Sequence, residues 1–169
     1  MIPFWRWLAM AAAILTVAAC DSGGRPVEDL RLLRLKVGES TGEEVRRVFG
    51  APDDRRAEAG GEVLVYPLGP EGAATLALRI DAQGRYSGYE NLLTRANLER
   101  VRPGMDAAQV RSLLGRPGYE REFALQRQRR WEWRFVDGPT TAMLVVVFGA
   151  DGRVAGTAVE DDPRTSGGA

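Results

Sequence analysis

Gly38-Glu39-Ser40-Thr41-Gly42-Glu43-Glu44-Val45-Arg46-Arg47-Val48-Phe49-Gly50-Ala51-Pro52 and Gly104-Met105-Asp106-Ala107-Ala108-Gln109-Val110-Arg111-Ser112-Leu113-Leu114-Gly115-Arg116-Pro117 spell one instruction twice. Thr41 and Asp106 are N-cap residues, and Glu44 and Gln109, three positions on, complete capping boxes. Val45, Val48 and Phe49 recur at helical spacing, as do Val110, Leu113 and Leu114, giving each helix one apolar stripe. Gly50 and Gly115 suit the left-handed residue that ends a helix, and Pro52 and Pro117 bar its continuation. Helices of about two turns are marginal in isolation, so both stripes must pack on something larger.

Working outward, residues 27–35 and 92–101 read as a further helical stretch before each copy. After each proline the period changes from helix to strand. Trp131, Trp133 and Phe135 alternate with Glu132 and Arg134, residues 143–148 are wholly apolar, and Asp151-Gly152 signals a hairpin before residues 154–159. The first copy has strand patterns at 62–68, 74–80 and 85–90. The expected class is α+β, with two tandem repeats (27–90 and 91–160). Each repeat holds two short helices followed by an antiparallel sheet of three to four strands.

The ends read differently. Residues 1–19 carry one charge, Arg6, and then an apolar run too short to span a bilayer. Val17-Ala18-Ala19-Cys20 resembles a lipobox, which makes Cys20 the expected lipidation site and residues 1–19 a cleaved signal peptide. An ordinary secretory signal with a stray buried cysteine, or an uncleaved anchor, reads from the same residues. Residues 20–26 form a polar tether and 161–169 a tail expected to be disordered.

Composition excludes much. The chain has 169 residues, 23 basic and 23 acidic side chains, one cysteine and no histidine. Near-neutral charge gives no general pull toward nucleic acid. Without histidine, and with the cysteine assigned to lipid, Ser-His-Asp and Cys-His catalysis and ordinary zinc sites drop out. No catalytic residue, metal ligand or cofactor is assigned, and the chain reads as a non-enzyme. Asp53-Asp54 and Asp161-Asp162 read as solvated turns, and Gly60-Gly61 and residues 69–72 as hairpin turns. The run Arg127-Gln128-Arg129-Arg130 reads as a solvated loop or as a contact for lipid phosphates or an acidic protein face. The rings of Trp131, Trp133 and Phe135 share one sheet face, set against the helices as core or left to a partner. The unbroken apolar run at 143–148 needs both faces covered, and the other repeat is the expected cover.

Leu93-Thr94-Arg95-Ala96-Asn97, Val101-Arg102-Pro103-Gly104-Met105, Gln109-Val110, Leu114-Gly115-Arg116-Pro117, Trp131-Glu132-Trp133-Arg134-Phe135 and Gly152-Arg153-Val154 together resemble the SmpA/OmlA (BamE-like) lipoprotein family over residues 92–160. The first copy keeps Gly38, Val45, Gly50 and Pro52 but has Val65-Tyr66 where the paired tryptophans would fall. The tandem architecture is also similar to that of β-lactamase inhibitor proteins. The family resemblance implies an accessory of outer-membrane assembly or envelope integrity. Its expected place is the periplasmic face of the outer membrane, held by the lipid anchor. The implied partners are envelope or outer-membrane assembly proteins, with anionic phospholipid as a further ligand. Candidate binding residues are Arg102, Met105, Arg127, Arg129, Arg130, Trp131, Trp133 and Arg134. The second architecture implies instead a periplasmic inhibitor or ligand-binding module. Asp21, next to the lipidation site, resembles an inner-membrane retention signal, so the inner membrane stands as the alternative location.

Overall fold

The structure is a computed structural model, described for residues 29–165. It is an α+β fold of two four-stranded antiparallel sheets and a few short helices. A 3₁₀ turn, Leu30–Arg34, leads to α1 (Gly42–Phe49) and then to β1 (Asp54–Glu58), β2 (Gly61–Pro67), β3 (Thr75–Asp81) and β4 (Tyr86–Asn91). Next come α2 (Arg95–Leu98), α3 (Ala107–Leu114), β5 (Tyr119–Phe123), a 3₁₀ turn at Ala124–Gln126, β6 (Gln128–Asp137), β7 (Thr140–Phe148) and β8 (Val154–Asp161). Neighbours in sequence are neighbours in each sheet, the simplest antiparallel arrangement.

Both capping boxes are present. Thr41 Oγ1 accepts from the Glu44 N–H and Glu44 Oε2 from the Thr41 N–H; Asp106 and Gln109 do the same. The stripes dock as the periodicity demands. Val45 and Phe49 lie on Leu64, Tyr66, Leu76 and Leu78 of the first sheet. Val110 and Leu114 lie on Trp131, Trp133, Phe135 and Leu144 of the second. Truncating such a buried ring or leucine costs about 2–5 kcal/mol.

The structure departs from the sequence reading in four places. Residues 27–35 and 92–101 yield only the 3₁₀ turn and the single turn of α2 within the described residues. Each sheet gains a first strand, β1 and β5, whose mostly charged sequences Asp-Arg-Arg-Ala-Glu and Tyr-Glu-Arg-Glu-Phe hide the period-2 signal. Asp54 is therefore in a strand, and Asp53 pairs with Arg116 rather than standing in a solvated turn. The segment expected to open a disordered tail is ordered through Thr165. Asp161 ends β8 and Asp162 is buried, because Arg134, Thr141 and the Arg164 N–H all donate to its carboxylate.

The layers explain which faces are covered. The outer face of the first sheet, opposite α1, carries the buried cluster Val63, Val65 and Ala77 with Leu92. The C-terminal end of α3 sits against it: Arg56 donates to the Ser112 and Arg111 carbonyls, and Arg116 pairs with Asp53. Gly115 allows this approach. A Cβ there would lie 2.6 Å from Thr75 Cγ2, so only glycine fits. Its φ of +75° suits glycine as well. The α3 layer is thus shared between its own sheet, where Trp133 Nε1 donates to the Gly115 carbonyl, and the first one. The residues expected to need the other half as a cover, those of β7, find it only at one end of their outer face, at Pro70 and Glu71. Over the rest, ion-paired long side chains of the same sheet lie beside them.

Candidate functional site

The second sheet keeps its outer face and one of its tips open, and these hold four of the eight predicted binding residues. Alternation along β6 puts Arg130, Glu132 and Arg134 on the outer face and Arg129, Trp131 and Trp133 on the inner one. The register places Glu132 beside both Tyr119 and Val145. On the outer face Arg130 pairs with Glu132 at 2.6 Å and Glu160 at 2.7 Å, and Arg121 approaches Glu132 at 3.9 Å. Burial would lower the Arg130 pKa, but its hydrogen bonds to Glu160 and Glu132 raise it above the usual value. Arg134 pairs with buried Asp162, and Arg164 spans to Glu71 of the first sheet's β2–β3 loop. Burial pushes the Asp162 carboxyl up, and the hydrogen bonds from Thr141, the Arg164 N–H and Arg134 more than offset it, holding the group below the usual carboxylate range. Between Tyr119, Arg130, Glu132, Arg134, Met143 and Asp162 lies a recess of about 300 Å³. Its lining carries both signs of charge in pairs, a pattern suited to a polar protein surface more than to a lone ion.

The tip, where the β5–β6 and β7–β8 turns come together, differs in kind. Arg127 occupies the left-handed position after the 3₁₀ turn, at φ +50°. Arg129 lies over the rings of Trp131 and Phe148, each at 4.9 Å, a cation–π arrangement that holds the guanidinium in place. Arg111, from α3, covers Trp131 at 4.8 Å. Phe123 and Leu125 project beside them, Leu125 almost wholly exposed.

The predicted residues therefore separate. Arg127 and Arg129 gather at the tip, and Arg130 and Arg134 on the outer face. Trp131 and Trp133 are buried against α3, at 2% and 1% exposure, so any partner would feel them only through their neighbours. Arg102 and Met105 belong to the loop before α3. Arg102 is exposed, Met105 packs on the core, and the Arg102 N–H approaches Met105 Sδ at 3.2 Å. Cys20 lies outside the described residues. Phe123 went unread in the sequence, Asp162 read only as part of a solvated turn, and Glu132 read only as a spacer between rings. A lone buried acid after a strand and a phenylalanine ending a charged strand leave no periodic trace. Among the described residues no group of three or more His, Cys, Asp and Glu side chains could hold a metal ion. No helix among them is long and apolar enough to cross a membrane.

Residues 90–158 match the family model for the outer membrane protein assembly factor BamE domain. The matched stretch takes in α2, α3 and nearly all of the second sheet, and it coincides with the resemblance read from the sequence. β1, β2 and β3 lie outside it. The comparison with curated proteins gives no match. Among solved structures, the chain is similar to a proposed beta-lactamase inhibitor protein from Streptococcus mutans. The identity is 14%, the TM-score 0.29, and the alignment covers 80% of this chain and 98% of that one. A DUF4309 family protein (YjgB) from Bacillus subtilis subsp. subtilis str. 168 is similar at 16% identity and TM-score 0.29, over 76% of this chain and 82% of that one.

Proposed function

We propose that the chain is a lipid-anchored envelope protein that acts without catalysis, by binding proteins of outer-membrane assembly at the periplasmic face of the outer membrane. The match of residues 90–158 to the BamE domain carries this reading. The lipobox at Cys20 supplies the anchor, and two acyl chains suffice to hold a protein on a membrane. The binding residues are those of the second sheet's open surface, Arg127, Arg129, Arg130 and Arg134, with Arg102 and Met105 at the loop before α3.

Residues 27–90 are read as a diverged copy of the same unit. Support comes from the paired capping boxes, from Gly50 and Gly115 at equivalent helix ends, and from a shared closure. The Gly38 N–H donates to the Tyr86 carbonyl and the Gly104 N–H to the Val154 carbonyl, each at 2.8 Å. In this reading the first copy has turned its outer face inward as a platform for α3, and the second has kept its face for partners.

The test is purification of the full chain from its native host in mild detergent. Mass spectrometry is expected to find acyl chains on Cys20 and co-purified outer-membrane assembly proteins. A bare Cys20 together with an absence of envelope proteins would overturn the proposal. Fractionation of native and Asp21→Ser protein decides the location: native protein confined to the inner membrane would refute the outer-membrane assignment.

A further inference from the structure

We infer that the tip of the second sheet is a docking recess for a short protein segment carrying a carboxylate side chain beside an apolar one. The inference deepens the protein-binding reading above by naming where a partner is gripped and by what chemistry.

Three observations converge there. The first concerns charge. Arg121, Arg130 and Arg134, on the outer face, are all engaged with carboxylates. Among the described residues Arg127 and Arg129 have no ion pair, although Glu122 is the register partner of Arg129 across the β5–β6 pair. Both line one recess, so an incoming anion gains their attraction without displacing an existing ion pair. The second is a deficit of hydrogen bonds. Arg129 Nε and Trp131 Nε1 are buried with no acceptor, and a buried donor without a partner costs about 1–3 kcal/mol. Rings alone hold Arg129, so its head can take an oxygen acceptor without breaking any existing hydrogen bond. The third is shape. A recess of about 380 Å³, lined by Phe123, Arg127, Arg129 and Phe148 among others, opens at this point. Phe123, in its lining, is exposed, and so is Leu125 two residues on. Large apolar side chains beside unpaired arginines make a contact that rewards an acidic and an apolar group together.

These features favour a peptide over a membrane surface. A lipid headgroup would use the same cations but would not distinguish a carboxylate from an amide. The lining also includes an acid, Glu122, to which the backbone N–H groups of a peptide can donate, whereas a surface of lipid phosphates only repels it.

The experiment uses the full chain in detergent and reads the tryptophan indole N–H resonances by NMR, with Trp131 assigned through Trp131→Phe. The probe is the peptide acetyl-Gly-Glu-Leu-Gly-amide; its glutamine counterpart, inorganic phosphate and phosphatidylglycerol vesicles are the controls. The expected result is a saturable shift of the Trp131 resonance at roughly millimolar peptide. The glutamine peptide and phosphate should bind at least about ten-fold more weakly. Arg129→Gln should weaken the acidic peptide by about ten-fold or more. Arg127→Gly, which removes a charge at a position whose φ suits glycine, should do likewise with no loss of thermal stability. No saturable shift, a shift undiminished in both variants, or an equal response to phosphate would overturn the inference. A response to vesicles without one to peptide would do so as well. Its failure is separable from that of the broader reading. Assembly proteins that still co-purify while the peptide fails would sink only the docking recess. A peptide that binds while no assembly protein co-purifies would sink only the assembly role.

Discussion

The two sheets have the same strand order, and each packs its inner face on a capped two-turn helix, yet their outer faces have opposite character. On the first, Val63, Val65 and Ala77 are buried beneath Leu92 and the end of α3. On the second, Arg130, Glu132, Glu160, Arg134 and Asp162 form a mesh of ion pairs over Met143 and Val145. The inner faces decide that each half folds, and the outer faces decide what each half meets. An apolar outer face must be covered permanently and so becomes internal structure. A face of paired charges can stand in water and still be presented to a partner.

The comparison is broken most forcefully by putting a charge on the first outer face. Val65→Asp buries a carboxylate among Val63, Ala77 and Leu92, where the nearby Arg56 is already taken up by Asp54 and the α3 carbonyls, and should cost about 3 kcal/mol or more. Denaturant unfolding followed by circular dichroism should find the variant mostly unfolded; a midpoint near that of the parent would mean that α3 does not cover this face. A pair of glycine substitutions comes next. Gly50 and Gly115 share nearly the same backbone conformation, at φ +87° and +75°, and alanine should cost about 1–3 kcal/mol in strain at either. At Gly115 the added methyl also meets Thr75 Cγ2, and overpacking adds about 1–3 kcal/mol. Gly115→Ala should therefore be the more damaging, and equal losses would deny the close approach of the two halves.

Local signals made the helices legible: Thr41-x-x-Glu44 and Asp106-x-x-Gln109 hold their own hydrogen bonds within one turn, whatever packs around them. For Trp131, Trp133 and Phe135 alternation fixed the shared face, but whether helix or partner covers it was left open until their burial against α3 decided it. β1 and β5 were not. Both are edge strands whose exposed side chains need no apolar face, so Arg55 and Glu120 carry no pattern that a loop would lack. Asp162 was hidden because its partners, Arg134 and Thr141, are 28 and 21 residues away and only the sheet brings them together. The candidate site suffered the same way. The arginine run was visible, but which of its members are already paired depends on Glu132 and Glu160 facing the same side.

Smaller perturbations sharpen the comparison. Thr41→Ala and Asp106→Ala each remove one N-cap acceptor and should each cost about 1 kcal/mol. Near-equal losses in thermal melts would mean that the helices are equivalent and that the halves differ only in their outer faces. A large inequality would place part of the difference in the helices themselves.

The gentlest test is a proton. The folded Asp162 carboxyl lies below its unfolded value, near 3.9, so the unfolded chain takes up a proton before the folded one does. The stabilisation is therefore complete above that unfolded value and is lost as the pH falls through the folded one. Unfolding free energy of the parent should fall on acidification below about pH 4. In Asp162→Asn, already weaker at neutral pH, that fall should be shallower, because the variant has no carboxyl here to titrate. Parallel pH profiles for the two proteins would show that the ion-pair mesh, unlike the apolar face of the first sheet, adds nothing to the fold. The charges of the second face would then serve only what binds there.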